Sequence, residues 1–184
     1  MLLDEQGRAI GTASKATVHG PDTPLHLAFS VYVFDAEHRL LLTQRAWHKV
    51  TWPGVWTNTC CGHPAPGEEY VEAVRRRTSQ ELGLELADLR LLLPRFGYRV
   101  AMADGTVENE LCPVFAATTR GPVRPDPAEV AGHRWEPWSQ FRRDVLGGGI
   151  EVSPWCVSQV QALPIRPYDA PAADPALLPP AARP

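Results

Sequence analysis

No stretch of this chain approaches the roughly 18 apolar residues that a membrane span requires, so a membrane partner is not expected. Residues 1–7 (MLLDEQG) have neither the basic start nor the apolar run of a secretory leader, and the cytoplasm is the expected compartment. A basic surplus is also missing: 18 Lys and Arg stand against 21 Asp and Glu, a formal net charge of −3. That balance argues against a nucleic-acid binder, which must neutralise many phosphates. It still permits a local basic pocket for one small phosphorylated ligand. Cysteine is scarce, with Cys60, Cys61, Cys112 and Cys156 only. Adjacent cysteines are poor mutual partners, and four in a chain this long do not make a disulfide scaffold. No internal repeat is visible.

What the chain does have is an ordinary globular composition, 44% hydrophobic and 21% charged over 184 residues, enough for one self-sustaining core. Residues 1–163 form the expected domain. Residues 164–184 (PIRPYDAPAADPALLPPAARP) lack apolar periodicity and are expected to form a disordered Pro/Ala-rich tail. Within the domain, residues 25–34 (LHLAFSVYVF) and 39–43 read as strands around a polar turn. A Trp-rich loop is expected over 47–59. Pro66-Gly67 precedes a helix over 68–82, ended by Gly83, with Val71, Val74 and Leu82 roughly on one side. Residues 89–101 and 107–118 read as strands joined at Asp104-Gly105, and 133–135 as a further strand. Helices are expected over 137–146 and 154–163. The fold class predicted is α+β, a sandwich around a mixed β-sheet flanked by helices.

Several residue patterns bear on chemistry. Glu108 and Glu110 lie two apart on a strand, so both carboxylates leave one face. With His19, His26 and His63 they could assemble a metal site of mixed nitrogen and oxygen ligands. A single histidine is more often a surface or hydrogen-bonded residue, and His38, His48 and His133 are read that way. Cys61 sits in a polar, glycine-bearing context (TNTCCGHP) unlike a core strand, where a thiol beside a metal can exchange protons. Residues 62–84 (GHPAPGEEYVEAVRRRTSQELGL) place Glu68 and Arg76 at intervals that resemble the Nudix box, although the same intervals fit an ordinary capped helix. Where that box carries Arg-Glu and Glu-Glu pairs, this chain has Arg76-Arg77 and Gln80-Glu81. Positions 77 and 81 share a helix face, so one expected carboxylate has become a cation able to clamp a phosphate.

Taken together, Trp52-Pro53-Gly54-Val55-Trp56-Thr57-Asn58, Cys61-Gly62-His63-Pro64, Val107-Glu108-Asn109-Glu110 and Ser153-Pro154-Trp155 resemble the type I isopentenyl diphosphate isomerases, divergent members of the Nudix fold. The resemblance runs from about Leu2 to Leu163. It implies an enzyme of isoprenoid biosynthesis that interconverts isopentenyl and dimethylallyl diphosphate by protonation and deprotonation through a tertiary carbocation. It implies Cys61 and Glu110 as the acid–base pair, with Tyr98 and Trp155 beside the reacting carbons. It assigns His19, His26, His63, Glu108 and Glu110 to one divalent ion (manganese, zinc or magnesium) and Glu81 to a magnesium ion on the diphosphate. Lys15, Arg45, Lys49 and Arg77 match diphosphate-binding positions.

The implied partner is a small isoprenoid diphosphate, with no nucleic acid or membrane, and the chain is expected as a monomer or weak homo-oligomer. The alternative is a Nudix hydrolase acting on a diphosphate; Arg77 and Gln80 count against it, because fewer carboxylates hold fewer ions. A catalytically dead, metal-stabilised binding module would have no reason to keep Cys61, Glu81 and Glu110 together.

Overall fold

Each of the three long strand-forming runs breaks once, and at each break the chain crosses between two sheets. In a computed structural model that describes residues 1–14 and 18–183, the first half comprises β1 (Leu2–Leu3), β2 (Ala9–Gly11), β3 (His26–Leu27), β4 (Phe29–Phe34), β5 (Arg39–Arg45), β6 (Trp56–Thr57), β7 (Cys60–Gly62) and α1 (Tyr70–Leu82). The second comprises β8 (Ala87–Leu93), β9 (Gly97–Ala101), β10 (Val107–Leu111), β11 (Val114–Thr118), β12 (Val130–Pro137), α2 (Trp138–Leu146) and α3 (Pro154–Ala162). The run over 25–34 divides at Ala28, that over 89–101 at Pro94-Arg95-Phe96, and that over 107–118 at Cys112-Pro113. Proline cannot donate to a ladder, which accounts for two of the breaks. The three crossings lie side by side, tied by Ala28 N–H to Leu111 O (3.0 Å), Ser30 N–H to Pro113 O (3.1 Å) and Cys112 N–H to Phe96 O (2.7 Å).

One sheet runs β2-β1-β3-β10-β9 and the other β12-β5-β4-β11-β8, with β6 on β5 and β7 on β4. β3 and β10 are parallel, as are β4 and β11, and their other pairings are antiparallel. The sheets are mixed and the fold is α+β, as expected. β7 was not foreseen. It follows the Trp-rich segment directly and pairs Cys61 with Ser30 of β4.

All six residues of β4 are buried, because helices cover both faces. Phe29, Val31 and Val33 pack toward Tyr70, Ala73, Val74 and Leu82 of α1. Tyr32 and Phe34 pack toward Trp138 and Phe141 of α2 and Trp155 and Val160 of α3. Each Val, Leu or Phe side chain among them contributes about 1.5–3 kcal/mol on burial. Helix α1 starts at Tyr70 rather than at Glu68, whose carboxylate accepts instead from Ala65 N–H (2.7 Å) and Arg76 (2.6 Å). Tyr70 takes the inward place expected of Val71, which is 45% exposed. Gly83 ends the helix at φ +64° and donates to Ser79 O. Ser153 caps α3 by accepting from Cys156 N–H, with Pro154 opening the helix.

The tail departs from the expectation of disorder. Arg90 donates to Tyr168 O (2.6 Å) and Ala170 O (2.5 Å). Ala173 N–H reaches Leu91 O (2.8 Å), and Ala181 N–H reaches Gly7 O (3.0 Å). Tyr168 stacks on His38 with centroids 4.0 Å apart, and Leu178 is buried in the cluster under α1. A proline-rich segment has little backbone freedom to lose, so a few anchors suffice to order it.

Candidate active site

Register in the first sheet brings three functional side chains abreast. Glu110 of β10 lies beside His26 of β3 on one side and Tyr98 of β9 on the other. The bridge between Gly20 and Val107 brings His19 alongside. His63 arrives from the other sheet, directly after β7. Gly62 before it admits no side chain: a Cβ there would stand 2.9 Å from the Phe29 ring and 3.0 Å from Arg77.

The ligand atoms of His19, His26, His63 and Glu110 all lie within 4.8 Å of one another. His63 Nε2 is 3.1 Å from Glu110 Oε1. The buried His26 Nε2 is 3.5 Å from the same oxygen and has no hydrogen-bond partner among the described residues. A buried imidazole nitrogen without such a partner, aimed at a carboxylate between two other imidazoles, fits a divalent ion. Burial alone would raise the Glu110 carboxyl, but the neighbouring His26 and His63 imidazoles outweigh it and hold the group well below its ordinary value. Glu108, expected as a fifth ligand, stands beside this cluster rather than within it. Burial first, and then the charge of Glu110, push its carboxyl up to about 7. Tyr98 Oη lies 2.8 Å from Glu110 Oε2 and 3.1 Å from Glu108 Oε2, and its single proton serves one carboxylate at a time.

Cys61, Tyr98, Glu110 and Trp155 line one cavity of about 450 Å³ with Arg45, Lys49, Arg77 and Glu81. Burial pushes the Cys61 thiol up to about 11. The fully buried Trp155 ring stacks against Tyr98 with centroids 5.7 Å apart, and the Arg45 guanidinium stands 5.9 Å from its centroid. Cys60 packs into the core under α1 and meets the cavity at its wall. Arg77 is ion-paired to Glu81, so a cation already occupies the remaining Nudix-box carboxylate. Lys15 lies outside the described residues.

Four cavity or support residues were not read as functional from the sequence. Ser30 Oγ is 3.3 Å from Cys61 Sγ. Asn58 Oδ1 accepts from the Cys61 thiol and from Trp155 Nε1. Thr51 O and Oγ1 accept from Arg45. Glu129 pairs with Lys49 and Arg77. Asn58 sits inside a motif already singled out, whereas Glu129 carries no local signal.

The NUDIX domain family model matches residues 24–156. A protein of Saccharopolyspora erythraea named Isopentenyl-diphosphate Delta-isomerase is 58% identical over 185 residues, covering 99% of this chain and 95% of its own. Proteins of the same name from Mycolicibacterium vanbaalenii and Rhizobium rhizogenes are 57% and 50% identical, covering 89% and 100% of this chain and 90% of each relative. Among solved structures, one from Deinococcus radiodurans has a TM-score of 0.68 at 17% identity, covering 88% of this chain and 96% of its own. A MutT protein from Methanosarcina mazei has 0.59 at 16%, covering 77% and 94%. These two likenesses establish the fold.

Proposed function

This chain belongs to the isopentenyl-diphosphate Delta-isomerases of the NUDIX domain family, and on that premise we propose that Cys61 and Glu110 exchange the protons of the reaction. The chain interconverts isopentenyl and dimethylallyl diphosphate. The observation that carries the site assignment is the convergence of a thiol, a carboxylate, two aromatic faces and several cations on one cavity. Cys61 is held as a protonated thiol and Glu110 as an ionised carboxylate. One can give a proton and the other can take one, which an allylic double-bond shift requires. Turnover swaps their states, and exchange with solvent resets them.

An alkene is a weak base, so the cation must be stabilised as it forms. The Trp155 face, fixed by its stack on Tyr98, supplies cation–π stabilisation in a water-poor pocket. Tyr98 orients the Glu110 carboxylate by hydrogen bonding. Lys49, Arg45 and Arg77 hold the diphosphate. His19, His26, His63 and Glu110 would hold one divalent ion, with Glu108 beside them as a further candidate ligand, and Glu81 would hold magnesium on the diphosphate. Manganese, zinc and magnesium all suit the first set, and the ions supply charge compensation and anchoring when bound.

The hydrolase alternative is the weaker reading, because Arg77 stands where the Nudix box carries a carboxylate, which leaves Glu81 with fewer partners to hold the ions of a metal-activated water. Incubating the protein with isopentenyl diphosphate and divalent ions tests the proposal. Formation of dimethylallyl diphosphate without phosphate release is expected; release of phosphate or pyrophosphate would favour the hydrolase.

A further inference from the structure

Glu129 lies in a turn that ties the end of α1 to the end of β5. Asp126 N–H donates to Glu81 O (2.8 Å), Arg124 N–H to Leu82 O (2.7 Å), and Ala46 N–H to Glu129 O (3.0 Å). These backbone bonds set the Glu129 carboxylate between two cations of the cavity. One oxygen accepts from Lys49, and the other is 3.4 Å from Arg77. Arg77 also pairs with Glu81. Among the described residues at this end of the cavity, Lys49 and Arg77 therefore face Glu81 and Glu129, and the charges of these four cancel.

A pocket shaped only for anion affinity would not carry Glu129 there. Its negative charge repels an entering diphosphate and must be displaced from both cations. A divalent ion arriving with the diphosphate restores the attraction by adding two positive charges to a neutral cluster.

We propose that Glu129 is a specificity-determining residue that makes diphosphate binding conditional on a divalent cation. It holds Lys49 and Arg77 in place between turnovers and disfavours the metal-free anion. The inference rests on reading this cavity as the diphosphate site.

Calorimetric titration of inorganic pyrophosphate, with and without added magnesium, tests it on wild type, Glu129→Gln and Glu129→Asp. Glu129→Gln should bind pyrophosphate without magnesium about tenfold more tightly than wild type. The factor by which magnesium strengthens its binding should shrink accordingly. Glu129→Asp should restore the wild-type factor. An equal loss of affinity in both conditions would reduce Glu129 to a structural prop. A larger magnesium requirement in Glu129→Gln would make Glu129 a holder of the ion, and either result overturns the proposal. Turnover of isopentenyl diphosphate by wild type, measured in parallel, separates the two readings. An active wild type that binds pyrophosphate, beside an unchanged magnesium factor in Glu129→Gln, removes the role of Glu129 alone. A wild type that neither turns over nor binds removes the diphosphate reading and this inference together.

Discussion

The Cys61 thiol and the Trp155 indole N–H donate to one shared acceptor, Asn58 Oδ1, each at 3.3 Å. The fully buried Asn58 amide is itself fixed, donating to Val31 O (3.2 Å) and Cys60 O (3.1 Å). One side chain thus sets the mutual position of the proposed proton-exchanging group and the cation-stabilising ring. Asn58→Ala leaves three donors without that acceptor, since Thr57 Oγ1 also donates to it (2.9 Å), at about 1–3 kcal/mol each. Misplacement of both groups should lower kcat by roughly a hundredfold. Unchanged kcat would show that the shared acceptor is incidental.

The two adjacent cysteines should behave differently. Cys61→Ser replaces the cavity thiol and should nearly abolish turnover while the protein stays folded. Cys60 is buried on the α1 side of the sheet, so Cys60→Ser should cost stability, on the order of 1–3 kcal/mol, and keep most of the activity. Steady-state rates and melting curves of the two variants decide this, and equal rates would overturn the assignment.

Glu108 supplies a pH dependence with a defined sign. Its carboxyl is raised from an ordinary 4.5 to about 7, so between these values the metal-free folded chain binds a proton that the unfolded chain has lost. Its contribution to stability is therefore full below 4.5 and disappears as pH rises through 7. Glu108→Gln keeps the neutral form at all pH values. After removal of metal, it should melt a few degrees above wild type at pH 8 and close to it near pH 4.5. The same substitution should weaken binding of the divalent ion at pH 8. Calorimetric melting with and without metal checks both signs, and a lower melting temperature for metal-free Glu108→Gln at pH 8 would refute the assignment.

The tail should matter for stability more than for chemistry. Deleting residues after Tyr168 uncovers the pocket under Leu178 and removes the bonds to Ala170 O, Leu91 O and Gly7 O. Burial of one leucine is worth about 1.5–3 kcal/mol, which predicts a drop of several degrees in melting temperature. The cavity residues lie elsewhere, so KM should hold. An unchanged melting temperature would return the tail to the disorder its composition suggests.

What could be read in advance follows the range over which each signal acts. Helix α1 was legible because its stop signal, Gly83, is local. Glu108 and Glu110 were legible as a pair because a strand has a period of two. The crossings at Ala28 and Cys112-Pro113 were not, because an apolar run looks the same whether it feeds one sheet or two. The separation of Glu108 from the histidine cluster depends on the pairing of β3 with β10, which no local pattern encodes. Glu129 became visible only when the turn after α1 closed on Ala46, across more than eighty residues. The tail misled because its composition describes an isolated chain, while Arg90 and Leu91 supply the anchors.

Proton bookkeeping separates isomerase from hydrolase most directly. With Cys61 and Glu110 as the exchanging pair, one proton enters the substrate at its methylene carbon and another leaves the adjacent allylic carbon. Both residues exchange with solvent between turnovers, so reaction in heavy water should place deuterium in a methyl group of dimethylallyl diphosphate. Reverse turnover should then spread the label to the allylic position of recovered isopentenyl diphosphate. The diphosphate should remain attached, because Arg77 and Lys49 hold it as an anion and Arg77 replaces a carboxylate that metal-assisted hydrolysis would use. Glu110→Gln cannot take up or release the proton, and its incorporation should fall by at least about a hundredfold. Proton and phosphorus magnetic resonance on one sample follow both outcomes. Phosphate or pyrophosphate appearing at the turnover rate, with no deuterium on carbon, would exclude the proton-exchange roles of Cys61 and Glu110.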